Sequence, residues 1–164
     1  MVRATRKLLD RLGPSPVSAT TDESAGTTLL GDWYATSLAW RPQVALMVSE
    51  ATLLSVLMPL APAASFLQRF GPELAVVLAA HGIPQSVIDA ELRQMDQVRL
   101  AKTLNRSVVG VMNEFGYLAD AYRRGDPGPD LLQLALRLAT TPCGPLYKRH
   151  VSPDRELAAL MITR

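Results

Sequence analysis

Apolar residues recur along this chain in two rhythms. Between Arg106 and Tyr122, Val108, Val111, Met112, Phe115, Leu118, Ala119 and Tyr122 return at steps of three and four, the stripe of an amphipathic α-helix. The spacing predicts a helix over 106–123. Thr103 and Asn105 stand before it with side-chain oxygens that can accept from free N–H groups at a helix start. Arg123-Arg124-Gly125 closes it, with cations at the negative end of the helix dipole and a glycine suited to a left-handed residue. The second rhythm is nearly continuous. Gln43–Val48 and Thr52–Met58 are two β-rich apolar runs joined by Ser49-Glu50-Ala51, the pattern of an antiparallel hairpin in a sheet covered on both faces.

Around these two landmarks the remaining elements follow in order. Val2–Thr5 reads as a short first strand, with Thr5 capping a helix over Arg6–Leu12 that Gly13-Pro14 stops. Residues 14–29 are rich in Ser, Thr, Gly and Pro, and predict a long mobile loop, either a lid or an elaboration. Asp32 is expected to cap a helix carrying Trp33, Tyr34, Leu38 and Trp40, with the aromatics as core anchors. One or two helices are expected over Pro62–Ala80 around Gly71-Pro72, a further helix over Gln85–Met95, and a strand over Gln97–Lys102. Asp130 caps a short helix over Leu131–Ala139, and Ser152-Pro153-Asp154 opens a final helix or a frayed end. Helices interspersed with three or four strands predict a single α+β domain over 1–164, a small and mainly antiparallel sheet packed against several helices. Val44, Leu46, Val56, Phe115 and Leu118 should be buried, with the hairpin and the 106–123 helix in one core.

Composition narrows the classes. A chain of 164 residues with 48% hydrophobic and 20% charged residues is that of an ordinary globular protein, long enough to fold without disulfide or metal staples. The net charge of +2 has no long basic run behind it, so nucleic-acid binding is neither indicated nor excluded. A single cysteine, Cys143, allows no internal disulfide, and a reducing cytoplasm is the expected compartment. The apolar region Val44–Leu67 is interrupted by Glu50, Pro59 and Pro62, short of the roughly 18 apolar residues that suggest a span. A soluble protein with no membrane association is expected.

Catalytic signatures are missing. No phosphate-binding glycine loop, dinucleotide fingerprint, HExxH or G-x-S-x-G occurs. His81 and His150 stand apart without ligand-spaced partners, so neither a metal nor any other cofactor is expected. His81, just before Gly82, reads as a cation at a helix C-terminus, and Cys143, between Pro142 and Gly144, as a small buried hydrophobe. What remains is a polar cluster: Thr103, Asn105, Arg106, Ser107, Asn113 and Glu114. It has a cation able to clamp a carboxylate or phosphate, and the N-terminus of a helix, which favours anions. The same residues suit a helix cap plus a buried structural network. Arg106, Gly110, Asn113 and Tyr117 also share one helix face, and Gly110, unfavourable there by roughly 1 kcal/mol, calls for close approach of either a ligand or a packed neighbour.

The segments ATRKLLDRLG, GDWYATSL, QVALMVSEATLLSVLMPL, TLNRSVVGVMNEF and LALRLATTPCGPL together resemble the bacterial domain-of-unknown-function family six-nine-three-three. The N-R-S-V-x-G-x-M-N-x-F stretch at Asn105–Phe115 is the most specific piece. The resemblance implies a small bacterial protein of unassigned activity and carries no catalytic residues across. Two functional expectations stand side by side. One is a non-enzymatic binding or interaction module with a protein partner, by analogy a component of a toxin–antitoxin or mobile-element system. The other is an enzyme acting on a phosphate-bearing substrate or RNA through the Thr103–Glu114 cluster.

Overall fold

Three consecutive strands form the longest part of a five-stranded sheet. They are β2 (Trp33–Leu38), β3 (Val44–Ser49) and β4 (Ser55–Pro59), paired antiparallel as a meander. Two short strands extend it: β1 (Val2–Ala4) runs parallel to β2 on one side and to β5 (Leu100–Lys102) on the other, giving the order β4-β3-β2-β1-β5. Among the described residues six α-helices accompany the sheet: α1 (Arg6–Leu12), α2 (Phe66–Ala80), α3 (Gln85–Gln94), α4 (Arg106–Tyr122), α5 (Leu131–Ala139) and α6 (Pro153–Ile162). The fold is α+β. This computed structural model describes residues 1–13, 28–95 and 98–163, so most of the 14–29 loop lies outside the described residues, as does Gln97 at the start of the expected fifth strand.

Both faces of the sheet are covered, and alternation along each strand sorts side chains between two cores. Trp33, Ala35, Met47, Val56 and Met58 face the first, with Leu8 of α1 and Phe66, Phe70 and Leu74 of α2. Trp33 meets Phe70 edge to face at 5.1 Å, a geometry that aromatic quadrupoles favour. Tyr34, Leu38, Leu46, Val48 and Leu57 face the second, where Val108, Val111, Met112, Phe115 and Ala119 of α4 close over them. The hairpin and α4 thus share a core through Val44, Leu46 and Phe115. Val56 is buried on the opposite face, and Leu118 is half-buried at the margin of the second core. Edge strand β4 would expose unpaired backbone groups; α5 lies beside it and contributes Ala139 to one core and Leu134 and Leu138 to the other.

The expected helix carrying Trp33, Tyr34, Leu38 and Trp40 is instead strand β2 and the turn after it. Thr36 and Ser37 interrupt its apolar residues, so Trp33, Tyr34, Leu38 and Trp40 fall at spacings that imitate a helical stripe. Asp32 caps nothing; its carboxylate accepts from Arg3 Nε at 2.8 Å, tying β1 to β2. The hairpin turn is also longer than Ser49-Glu50-Ala51. Thr52 accepts from Leu54 N–H at 3.2 Å, and Leu53 takes a positive φ of 59° before β4 begins. Over Phe66–Ala80 a single helix runs through Gly71-Pro72.

Candidate functional site

The polar cluster at the head of α4 divides into an inward part and an outward part. Asn105 belongs to the first. Its Oδ1 accepts from the N–H groups of Ser107 (3.0 Å) and Val108 (3.4 Å), capping α4. Its own N–H donates to Tyr34 Oη at 3.0 Å, and its Nδ2 donates to Glu50 Oε1 at 3.3 Å. Tyr34 Oη in turn donates to Glu50 at 3.5 Å. Burial pushes the Tyr34 phenol up, opposed by the Asn105 N–H and reinforced by the Glu50 charge, so it stays a neutral donor. Asn105 therefore fastens α4 to β2 and to the β3–β4 turn, with its side-chain oxygen and both its donor groups already engaged.

Arg106, Ser107, Asn113 and Glu114 form the outward part. All four are exposed, and none has a side-chain hydrogen bond or ion pair among the described residues. Thr103 is half-buried before the cap. Gly110 lies among the outward residues, yet a Cβ built there would meet nothing within 4 Å. The close approach expected at Gly110 occurs one and a half turns later, where a Cβ on Gly116 would stand 3.4 Å from Leu38 Cδ2.

Beside Gly116 a groove of about 460 Å³ opens between α1, the end of β2 and α4. Lys7 stands on its α1 side, Thr36 and Trp40 come from the end of β2 and beyond, and Asn113, Tyr117, Asp120 and Arg123 come from α4. The Arg123 guanidinium stacks on the Trp40 ring, 4.2 Å from its centroid, and donates to Asp120 at 3.2 Å. Thr36 Oγ1 shares a hydrogen bond of 3.1 Å with Thr5 Oγ1, which joins the carboxyl ends of β1 and β2. Lys7 is exposed and has no ion-pair partner among the described residues. Tyr117, 80% exposed, forms part of the rim. Of the six cluster residues only Asn113 reaches this groove. The others in it escaped notice because Thr36 and Trp40 fell in the segment read as a helix, and Lys7 is brought in only by tertiary packing.

The other reactive side chains are held in structural settings. Cys143 is buried, and burial, with the Glu114 charge adding, pushes its thiol up to about 11, far from a nucleophilic thiolate. His81 does stand at the C-terminal end of α2, but burial lowers its pKa, with Asp154 opposing, so the cationic form is disfavoured there. His150 and Arg149 both pair with the buried carboxylate of Glu156. The other buried carboxylate, Glu91, accepts from the N–H groups of Leu29 (2.8 Å) and Leu30 (3.1 Å), anchoring the approach to β2. No helix among the described residues is long and apolar enough to cross a membrane.

No match was found among curated proteins or solved structures. The family model described as Domain of unknown function (DUF6933) matches residues 1–156, nearly the whole chain and all of the elements that build the groove, and the protein belongs to that family.

Proposed function

We propose that the protein is a non-enzymatic binding module whose ligand seats in the groove between α1, the end of β2 and α4. The observation that carries this reading is the groove itself, with its volume of about 460 Å³ and its position at the carboxyl end of a strand in a parallel pair. In open α/β sheets ligands lie in the crevice outside the carboxyl ends of parallel strands, and the groove has that position relative to the β1–β2 pair. Lys7 favours an anion beside the Asp120–Arg123 pair, Thr36 and Asn113 supply groups that orient it, and the exposed ring of Tyr117 offers flat apolar contact. The ligand class is therefore a small anion with a planar portion.

The rival reading, an enzyme acting on a phosphate-bearing substrate or RNA through Thr103–Glu114, has less behind it. Asn105 is committed to the cap, and Arg106, Ser107 and Glu114 face water, where a charge stabilises a transition state far less than in a dry site. The test is an NMR titration of labelled protein with nucleoside monophosphates and aromatic carboxylates. Saturable shifts should converge on Lys7, Thr36, Asn113 and Tyr117, and Lys7→Ala should weaken binding about tenfold, the scale of one lost charge-assisted contact, with an unchanged melting temperature. Shifts confined to other surfaces, or none at all, would refute the reading.

A further inference from the structure

The outward face of α4 carries a pattern that the groove does not use. Arg106, Gly110 and Glu114 are four residues apart, on one i±4 ridge of the helix, and all three are exposed. Gly110 lies midway between a cation and an anion that have no partners among the described residues, and its Cα faces open space. Ala121 continues the face towards the C-terminal end and is exposed. Charges placed symmetrically about a glycine are complementary to the same charges turned end for end.

We propose that this face pairs with the α4 of a second copy of the chain, through a two-fold axis at Gly110. The ridges of the two helices then run antiparallel. Arg106 and Glu114 each lie about 6 Å along the helix from Gly110, at a rise of about 1.5 Å per residue. Each Arg106 therefore falls opposite the other copy's Glu114, and the two ion pairs are equivalent by symmetry. Aligning i±4 ridges sets the helices at a crossing angle of about 50°, the commonest class of helix packing. The absence of a side chain at Gly110 lets the backbones approach at the crossing point, which accounts for a glycine that nothing inside the protomer requires. One helix face against another buries less than a standard interface, so the dimer is weak and concentration-dependent.

Sedimentation equilibrium over concentrations up to about 1 mM tests the pairing, a range that captures micromolar and weaker association. The wild type should show reversible monomer–dimer behaviour that weakens between about 0.05 M and 0.5 M salt, as screening of exposed ion pairs requires. Arg106→Glu and Glu114→Arg should each weaken dimerisation by about tenfold or more, since each turns two attractions into two repulsions. The double variant carrying both substitutions should recover the wild-type constant. That recovery is specific to pairing about Gly110, because contact with an unrelated protein would not survive the exchange. All three variants alter exposed side chains, and their thermal melts should overlay that of the wild type. A chain that stays monomeric throughout, or single reversals that leave association unchanged, or a double variant that does not recover, would each overturn the proposal. Lys7→Ala leaves the dimer untouched, so this result and the fate of the groove reading are separately determined.

Discussion

The two sides of helix α4 obey different requirements. On the inner side Val108, Val111, Met112, Phe115 and Ala119 are all buried, Phe115 and Met112 completely, between the meander and α5. Each is there because an apolar group of roughly that volume fills that place, and its identity says little beyond the fold. On the outer side Arg106, Gly110, Glu114 and Tyr117 touch almost nothing, so packing within the protomer imposes no choice on them. A side that the fold leaves free is the one whose residues carry information about something else. Asn105 marks the boundary: its position is outward enough to suggest a site, yet its bonds belong to the interior.

The contrast breaks first, if it is wrong, at Phe115. Its ring is fully buried in the second core, and Phe115→Ala removes the transfer free energy and leaves a cavity, costing about 3–5 kcal/mol. Urea unfolding of the variant beside the wild type measures the loss. A cost below about 1 kcal/mol would place Phe115 with surface substitutions and erase the distinction between the two sides. A smaller effect is expected at the boundary. Tyr34→Phe deletes the oxygen that accepts from Asn105 N–H and leaves that donor without its partner, at about 1–3 kcal/mol. The loss should be accompanied by faster amide exchange at Asn105 and Ser107, because the first turn of α4 is released. A variant as stable as the wild type would mean that water replaces the phenol, and that Asn105 belongs with the outer side.

Much of the inner side was legible in the sequence, and the reason is periodicity. The α4 stripe, the Asn105 cap, the Thr5 cap of α1, the Asp130 cap of α5 and the hairpin all follow from local spacing and side-chain chemistry. Strand β2 was not legible, because Thr36 and Ser37 break the continuous apolar run by which the equally buried β3 and β4 were read as strands. The groove failed for a different reason. Lys7, Thr36 and Arg123 are separated by tens of residues, and nothing local to any of them says that the carboxyl end of β2 will meet α1 and α4 there. Polar residues close together in sequence attracted the reading instead, and the fold divides them between a cap and an exposed face. Of the two alternatives read for Gly110, a packed neighbour within the chain is found instead at Gly116.

Those two glycines give the finest separation of the two sides, at the smallest expected effect. Alanine is favoured over glycine inside a helix by roughly 0.5–1 kcal/mol, provided the added methyl has room. At Gly110 the room is open, so Gly110→Ala should stabilise the monomer by about that amount, measured by thermal unfolding at low micromolar concentration where chains are unpaired. At Gly116 the methyl would stand 3.4 Å from Leu38 Cδ2, at the near limit of ordinary contact, so the gain should be no larger than at Gly110. The order of the two variants is the measurement that matters. If Gly116→Ala were the more stabilising, the side of α4 facing β2 would be looser than its packing indicates, and the outer side would hold the tighter contact. If Gly110→Ala stabilises the monomer as expected, glycine at 110 weakens the isolated fold, and its use there lies in what meets α4 from outside.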